Sequence, residues 1–164
     1  MIVTFSCSAE INGSDINGFG INGPSLVART IFRDINHALN AMILSAAGTT
    51  PVAWENMRYE PVIGTSYIQV FHNPLRSGPA SIGYNGFTTH QGIVQLNINT
   101  PGERGTKEAI SLADQFTSVI RRGLVVTFNA IPVRILGLSI GAMDIQKAWA
   151  ILPVTINWHC YTPD

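Results

Sequence analysis

The residues of this 164-residue chain best suited to chemistry are few and scattered. His159 stands beside Cys160, the pairing a thiol nucleophile and its base would need. Adjacent residues of a strand point to opposite faces, so on a strand these two side chains diverge. The four histidines, His37, His72, His90 and His159, show no metal-ligand spacing. The main carboxylates of the folded part are Glu55, Glu60, Glu103, Glu108, Asp114 and Asp144. Glu55 and Glu60 flank Arg58 and read as partners of a solvated ion pair. Neither a dinucleotide fingerprint nor a phosphate-loop pattern is present, and Gly18-Phe19-Gly20 follows no strong strand. Trp54, Trp149 and Trp158 sit among apolar neighbours and read as core or interface anchors. The expectation is a protein that is not an enzyme, with no catalytic residue, cofactor or metal.

Composition points the same way. Apolar residues make up 46% and charged residues 12%, the latter roughly half the usual share. Ten basic and ten acidic residues balance to zero. Few charges and no net charge protect a small protein poorly against association, so partners are expected to cover much of its surface. Neutrality also argues against a dedicated nucleic-acid binder, while leaving room for a local basic rim. Cys7 and Cys160 do not make a disulfide framework and read as reduced thiols, although they could meet in space. The first residues lack a basic leader, and no run approaches the roughly 18 apolar residues of a membrane span. A soluble product made in a cytosol, with no membrane partner, is expected.

The elements that must position these residues are legible in outline. Over residues 1–24, Ile-Asn-Gly recurs every five residues, three times, and each Asn-Gly favours a tight turn. This is either a turn-rich flexible leader or an arm that orders on a neighbouring subunit, with Ile11, Ile16, Phe19 and Ile21 as candidate contacts. Residues 25–164 are expected to form one domain. Ser25 can cap a helix ending near Gly48, with Val27, Ile31, Ile35, Ala38, Leu39, Met42 and Ile43 in one apolar stripe. A second helix is expected from Thr106 to Gly123, burying Ile110, Ala113, Phe116 and Ile120, with Glu108 in its first turn and Arg121-Arg122 in its last. Strands are expected over 66–72, 87–99, 125–128, 133–140 and 148–158, with a turn at 129–132. Pro153 lacks an amide donor, so the last strand is expected at an edge or bulged. Trp149 and Trp158 point to opposite faces of it. Helix, strands, helix, strands make an α+β fold: an antiparallel or mixed β-sheet with two α-helices packed on one face and an extended N-terminal arm.

The order of segments then resembles a known family. A first helix leads into Pro51-Val52-Ala53-Trp54-Glu55-Asn56, Tyr59 and Pro61, then into Thr65-Ser66-Tyr67-Ile68-Gln69-Val70. After a loop comes Thr88-Thr89-His90-Gln91-Gly92-Ile93-Val94-Gln95-Leu96-Asn97-Ile98, a turn at Pro101-Gly102, a helix over 109–120 and a close on 149–158. This is similar to the tail terminator, or tail completion, proteins of long-tailed phages and prophages, over roughly residues 26–160. The resemblance implies a virion subunit assembled in the host cytoplasm. It would form a homo-oligomeric ring, a hexamer, at the head-proximal end of the tail. Tail tube protein and a head–tail connector or neck protein would be its partners, and DNA would pass non-specifically through the lumen. It implies no catalytic residues. Trp149 becomes a candidate interface residue, and Arg104, Lys107, Arg121 and Arg122 candidate charges at a lumen or ring face. The runner-up readings are another neck or head–tail joining component, a tube-like subunit, or a small enzyme with an unrecognised site.

Overall fold

The computed structural model describes residues 30–81, 86–146 and 148–163. The expected arm with Ile11, Ile16, Phe19 and Ile21, the Ser25 cap, Val27 and Cys7 lie outside the described residues. Helix α1 (Ile31–Ala47) is followed by strands β1 (Val52–Ala53), β2 (Tyr67–Pro79) and β3 (Phe87–Pro101). Helix α2 (Lys107–Val119) and strands β4 (Val125–Phe128), β5 (Ile131–Ile140), β6 (Asp144–Ile145) and β7 (Trp149–Pro163) complete the chain. The strand order is β1-β2-β3-β7-β5-β4, with β6 pairing the start of β7. Only β1–β2 is parallel, so the sheet is mixed. Helix α1 lies over β4 and β5, α2 over β3 and β7, and the helices touch each other. The chain is α+β, with both helices on one face of the sheet.

Alternation makes that face. Val94, Leu96 and Ile98 of β3 are fully buried, as are Val154 and Ile156 of β7. Their neighbours Gln95, Asn97, Thr155 and Asn157 turn to the helix-free side. The expected stripe of α1 is buried from Ile35 to Ile43 and extends to Ala46 and Ala47. Asp34 is buried as well, receiving hydrogen bonds from the Thr30 hydroxyl (3.0 Å) and the Asn129 amide (3.2 Å). It thereby ties the start of α1 to the β4–β5 turn. That turn is tighter than expected: Asn129 and Ala130, both at positive φ, form it alone, and residues 131 and 132 already belong to β5.

Three expectations are corrected. First, β7 is no edge strand: it runs between β3 and β5. The Pro153 carbonyl accepts the Gly141 amide at 2.8 Å, so the side lacking an N–H faces the break between the end of β5 and β6. One bond of the ladder still forms there, and only the bond that an amide at 153 would donate is missing. Second, α2 ends at Val119, so Arg121 and Arg122 lie beyond its last turn. Ile120 leaves the helix with extended dihedrals to bury its side chain. Third, Ile110 is 48% exposed, because the buried stripe of α2 starts one residue earlier, at Ala109. In addition, β2 runs on beyond His72 to Pro79, passing Pro74 through a bulge.

The centre of the sheet is set by one contact. Gly92 of β3 lies directly opposite Trp158 of β7, whose indole covers it. A Cβ at Gly92 would stand 2.4 Å from the Trp158 ring and 2.9 Å from the Asn73 carbonyl oxygen. We therefore expect Gly92→Ala to cost about 1–3 kcal/mol through overpacking. Trp158→Ala should cost about 3–5 kcal/mol through a cavity. Urea denaturation checks both, and in a double-mutant cycle Gly92→Ala should cost much less once Trp158 is alanine.

Candidate functional site

Strand geometry separates the groups that might have reacted. Cys160 points into the core, fully buried, and burial pushes its thiol up to about 11. His159 points to the helix-free face, its ring 5.3 Å from that of Tyr161. The pair therefore shares no space. His90 is buried between two hydroxyls, Ser77 Oγ at 2.7 Å from Nδ1 and Thr162 Oγ1 at 3.0 Å from Nε2, with the Phe32 ring edge-on at 5.3 Å. The Thr162 hydroxyl takes the place a nucleophilic triad gives to a carboxylate, and a neutral hydroxyl stabilises an imidazolium poorly. This arrangement staples β2, β3 and β7 together. His72 bonds Asn40 of α1 through Nε2 at 2.8 Å, and its Nδ1 has no hydrogen-bond partner. Burial lowers its pKa, partly offset by Glu55. His37 stacks on Phe128 at the surface. Among the described residues, no group of three or more His, Cys, Asp or Glu side chains is placed to hold a metal.

The Trp54 block is a connector. The Pro51 carbonyl accepts the Ile68 amide at 2.9 Å, which starts the parallel β1–β2 pair. Trp54 packs half-buried against the core, and Asn56 turns the chain at positive φ. Arg58 pairs with Glu60 in solvent, while Glu55 takes no part in that pair. Beyond it, Met57, Val62 and Ile63 are exposed, Ile63 by 94%. Next to this loop, Tyr67 packs against Tyr59 (5.0 Å) and edge-on against Trp149 (5.1 Å). Trp149 thus lies on the helix-free face, opposite in direction to the core-bound Trp158. The exposed loop was invisible in the sequence, where isolated apolar residues near a proline carry no periodicity.

The four cations singled out from the sequence do not converge. Arg104 and Lys107 line a cleft of about 680 Å³ before α2, together with Thr50, Ser66 and Glu108. Ser66 donates a hydrogen bond to Glu108 there. Arg121 and Arg122 lie past the other end of α2, roughly 20 Å away at 1.5 Å per residue. Arg121 donates to the Ser118 carbonyl at 3.0 Å, which satisfies the helix terminus. Two further arginines, Arg76 and Arg134, lie on the helix-free face and were passed over, because only cross-strand register brings them near one another.

An α+β subunit with helices on one face and apolar side chains at both ends of its sheet offers surfaces to neighbours. The model of the phage tail terminator protein family matches residues 34–158, and the chain belongs to that family. It is accordingly a phage tail structural protein of the virion, from a family of structural proteins rather than enzymes. A solved chain that carries no functional name is 21% identical, with a TM-score of 0.63, over 77% of this chain and 92% of its own length. A chain from the virion of a native gene transfer agent particle is 13% identical, with a TM-score of 0.53, over 82% of this chain and all of its own. At these identities the two likenesses speak for the fold. No curated protein matches.

Two measurements check the burial of the titratable groups. Cys160 should resist alkylation at pH 8 in the folded protein and label fully in denaturant, as read by peptide mass spectrometry. His72 binds protons more weakly folded than unfolded, so its contribution to stability is complete above its ordinary pKa of about 6.5 and lost as pH falls below it. The urea midpoint should drop on acidification below that pH, and His72→Gln should reduce the drop.

Proposed function

We propose that the chain closes into a ring that ends the tail tube at its head-proximal end and offers a surface to the head connector. The observation that carries this is the polarity of the sheet. One end has β1 at the edge, beside exposed Met57, Val62 and Ile63. The other has β4 at the edge, with exposed Val125 and Phe128. Two different edges at opposite ends of one subunit, each bearing exposed apolar side chains, are what a head-to-tail interface requires, and such an interface closes into a ring when the rotation allows. Membership of the tail terminator family supports the location, and six copies are proposed on the resemblance alone. Residues 1–24 are proposed as an arm docking on a neighbour, and Trp149 as an anchor on the bare face. Duplex DNA passes through the opening.

Native mass spectrometry and sedimentation velocity test this directly. The expected result is a closed oligomer, alone or on adding tail tube protein. Ile63→Asp should shift it toward monomer, while changing the stability of this exposed loop by no more than about 0.5 kcal/mol. A strict monomer under both conditions would overturn the ring. Open-ended filaments would instead favour a tube-like subunit.

A further inference from the structure

Register across four strands creates a basic row that no single segment contains. Arg76 of β2 lies opposite Gln91 of β3, Gln91 opposite His159 of β7, and His159 opposite Arg134 of β5. Directly paired residues share a face, and His159 is on the helix-free one, so all four side chains rise from the same bare surface. Three strand spacings of about 4.8 Å put Arg76 and Arg134 about 14 Å apart. Neither arginine forms a salt bridge among the described residues. The adjoining rows on this face, Asn73-Ile93-Asn157-Gly137 and Gly78-Thr89-Tyr161, contain no carboxylate. Beside Arg134, a hollow of about 350 Å³ is bordered by His159, Tyr161 and Val125. Of the other cations among the described residues, all but Arg122 are committed or balanced. Arg33 and Arg58 are ion-paired, Arg104 and Lys107 share their cleft with Glu108, and Arg121 caps a helix.

We propose that the row Arg76–Gln91–His159–Arg134 on the open face of the sheet contacts the phosphodiester backbone of duplex DNA. A neutral chain that nonetheless gathers arginines on one face, with neither a salt bridge nor a carboxylate in the adjoining rows among the described residues, offers that face to an anion. One DNA strand presents a phosphate about every 3.4 Å of axis, so a row about 14 Å long spans several of them. Two arginines on a field of asparagine, glutamine and threonine supply phosphate contacts without a base-reading element, which suits DNA that moves past in any sequence. Subunits joined through the ends of their sheets place every copy's row on the same wall of the ring. The proposal rests on DNA passing the subunit, and it moves the DNA-facing charges from α2 to the sheet.

The test is fluorescence anisotropy of a mixed-sequence duplex of about 30 base pairs, titrated with protein from about 25 to about 150 mM NaCl. Wild-type protein should bind with an affinity that falls linearly in log–log salt. Arg76→Gln/Arg134→Gln should bind about tenfold or more weakly at low salt, with a slope smaller by about two. Arg76→Lys/Arg134→Lys should retain most of the binding, and Arg121→Gln/Arg122→Gln should behave as wild type. No binding at the lowest salt overturns the proposal, as does a wild-type slope in the first variant or loss of binding in the last. Tighter binding of a polyglutamate peptide than of the duplex would assign the row to an acidic protein and overturn the assignment to DNA. Native mass spectrometry of the same variants separates this outcome from the ring: row-dependent DNA binding by a monomer sinks only the ring, and a closed ring indifferent to the row sinks only this proposal.

Discussion

The rest of the fold depends on the Trp158 indole packed over Gly92. These residues face each other within the β3–β7 pair, the longest pairing in the sheet. β2 hangs on the outer side of β3, β5 and β4 on the outer side of β7, and both helices cover the surface the two strands create. A glycine in a strand gives up side-chain packing and backbone entropy. Here the indole returns the packing by filling the space a side chain would have taken. The fit has a cost: the Trp158 Nε1–H is buried without a hydrogen-bond partner. An unsatisfied buried donor costs about 1–3 kcal/mol, against the large apolar area of a buried indole. Shape wins over polarity at this site, and Trp158 is consequently committed to the core while Trp149, nine residues earlier, is left for the other face.

That division leaves the sheet ends and much of one face open, as suits a structural protein of the tail. Both helices are used on one side, so the sheet's other side is bare except where the Trp54 block and Trp149 cover Tyr67, and its ends are open. The histidines and the thiol are distributed by strand parity between a packed core and a bare surface. Cys160 and His90 serve packing and cross-strand bonding on the inside, while His159 stands outside. The middle of the helix-free face presents mostly neutral amides and hydroxyls with Arg76 and Arg134, and exposed apolar side chains stand at the sheet ends. Such a surface is suited to neighbours, in agreement with membership of the tail terminator family.

Periodicity is a local property, and whatever rests on it was legible in the sequence. The stripe Ile35, Ala38, Leu39, Met42 and Ile43 announces a helix that must be buried on one side, whatever lies opposite. The alternation of Val94, Leu96 and Ile98, and of Leu152, Val154 and Ile156, announces strands with one dry face. Together they determined the α+β class and most of the core, and the ordered segments around Trp54 and Gln91-Gly92 determined the family resemblance. Strand order, by contrast, is decided by which strands meet, over separations that no local pattern encodes. Pro153 marked an edge or a bulge, and it sits in the middle of the sheet at an irregularity, where its missing donor faces the gap between two other strands. Asp34 reads as a polar helix residue and is buried, because Asn129, ninety-five positions later, comes within reach of it. Ile110 and Ala109 differ by one position, and only the packing of α2 on β3 and β7 chose between them. The arginines at 76 and 134 are unremarkable in the chain. Tertiary register alone sets them in one row, because cross-strand pairing ignores distance along the sequence.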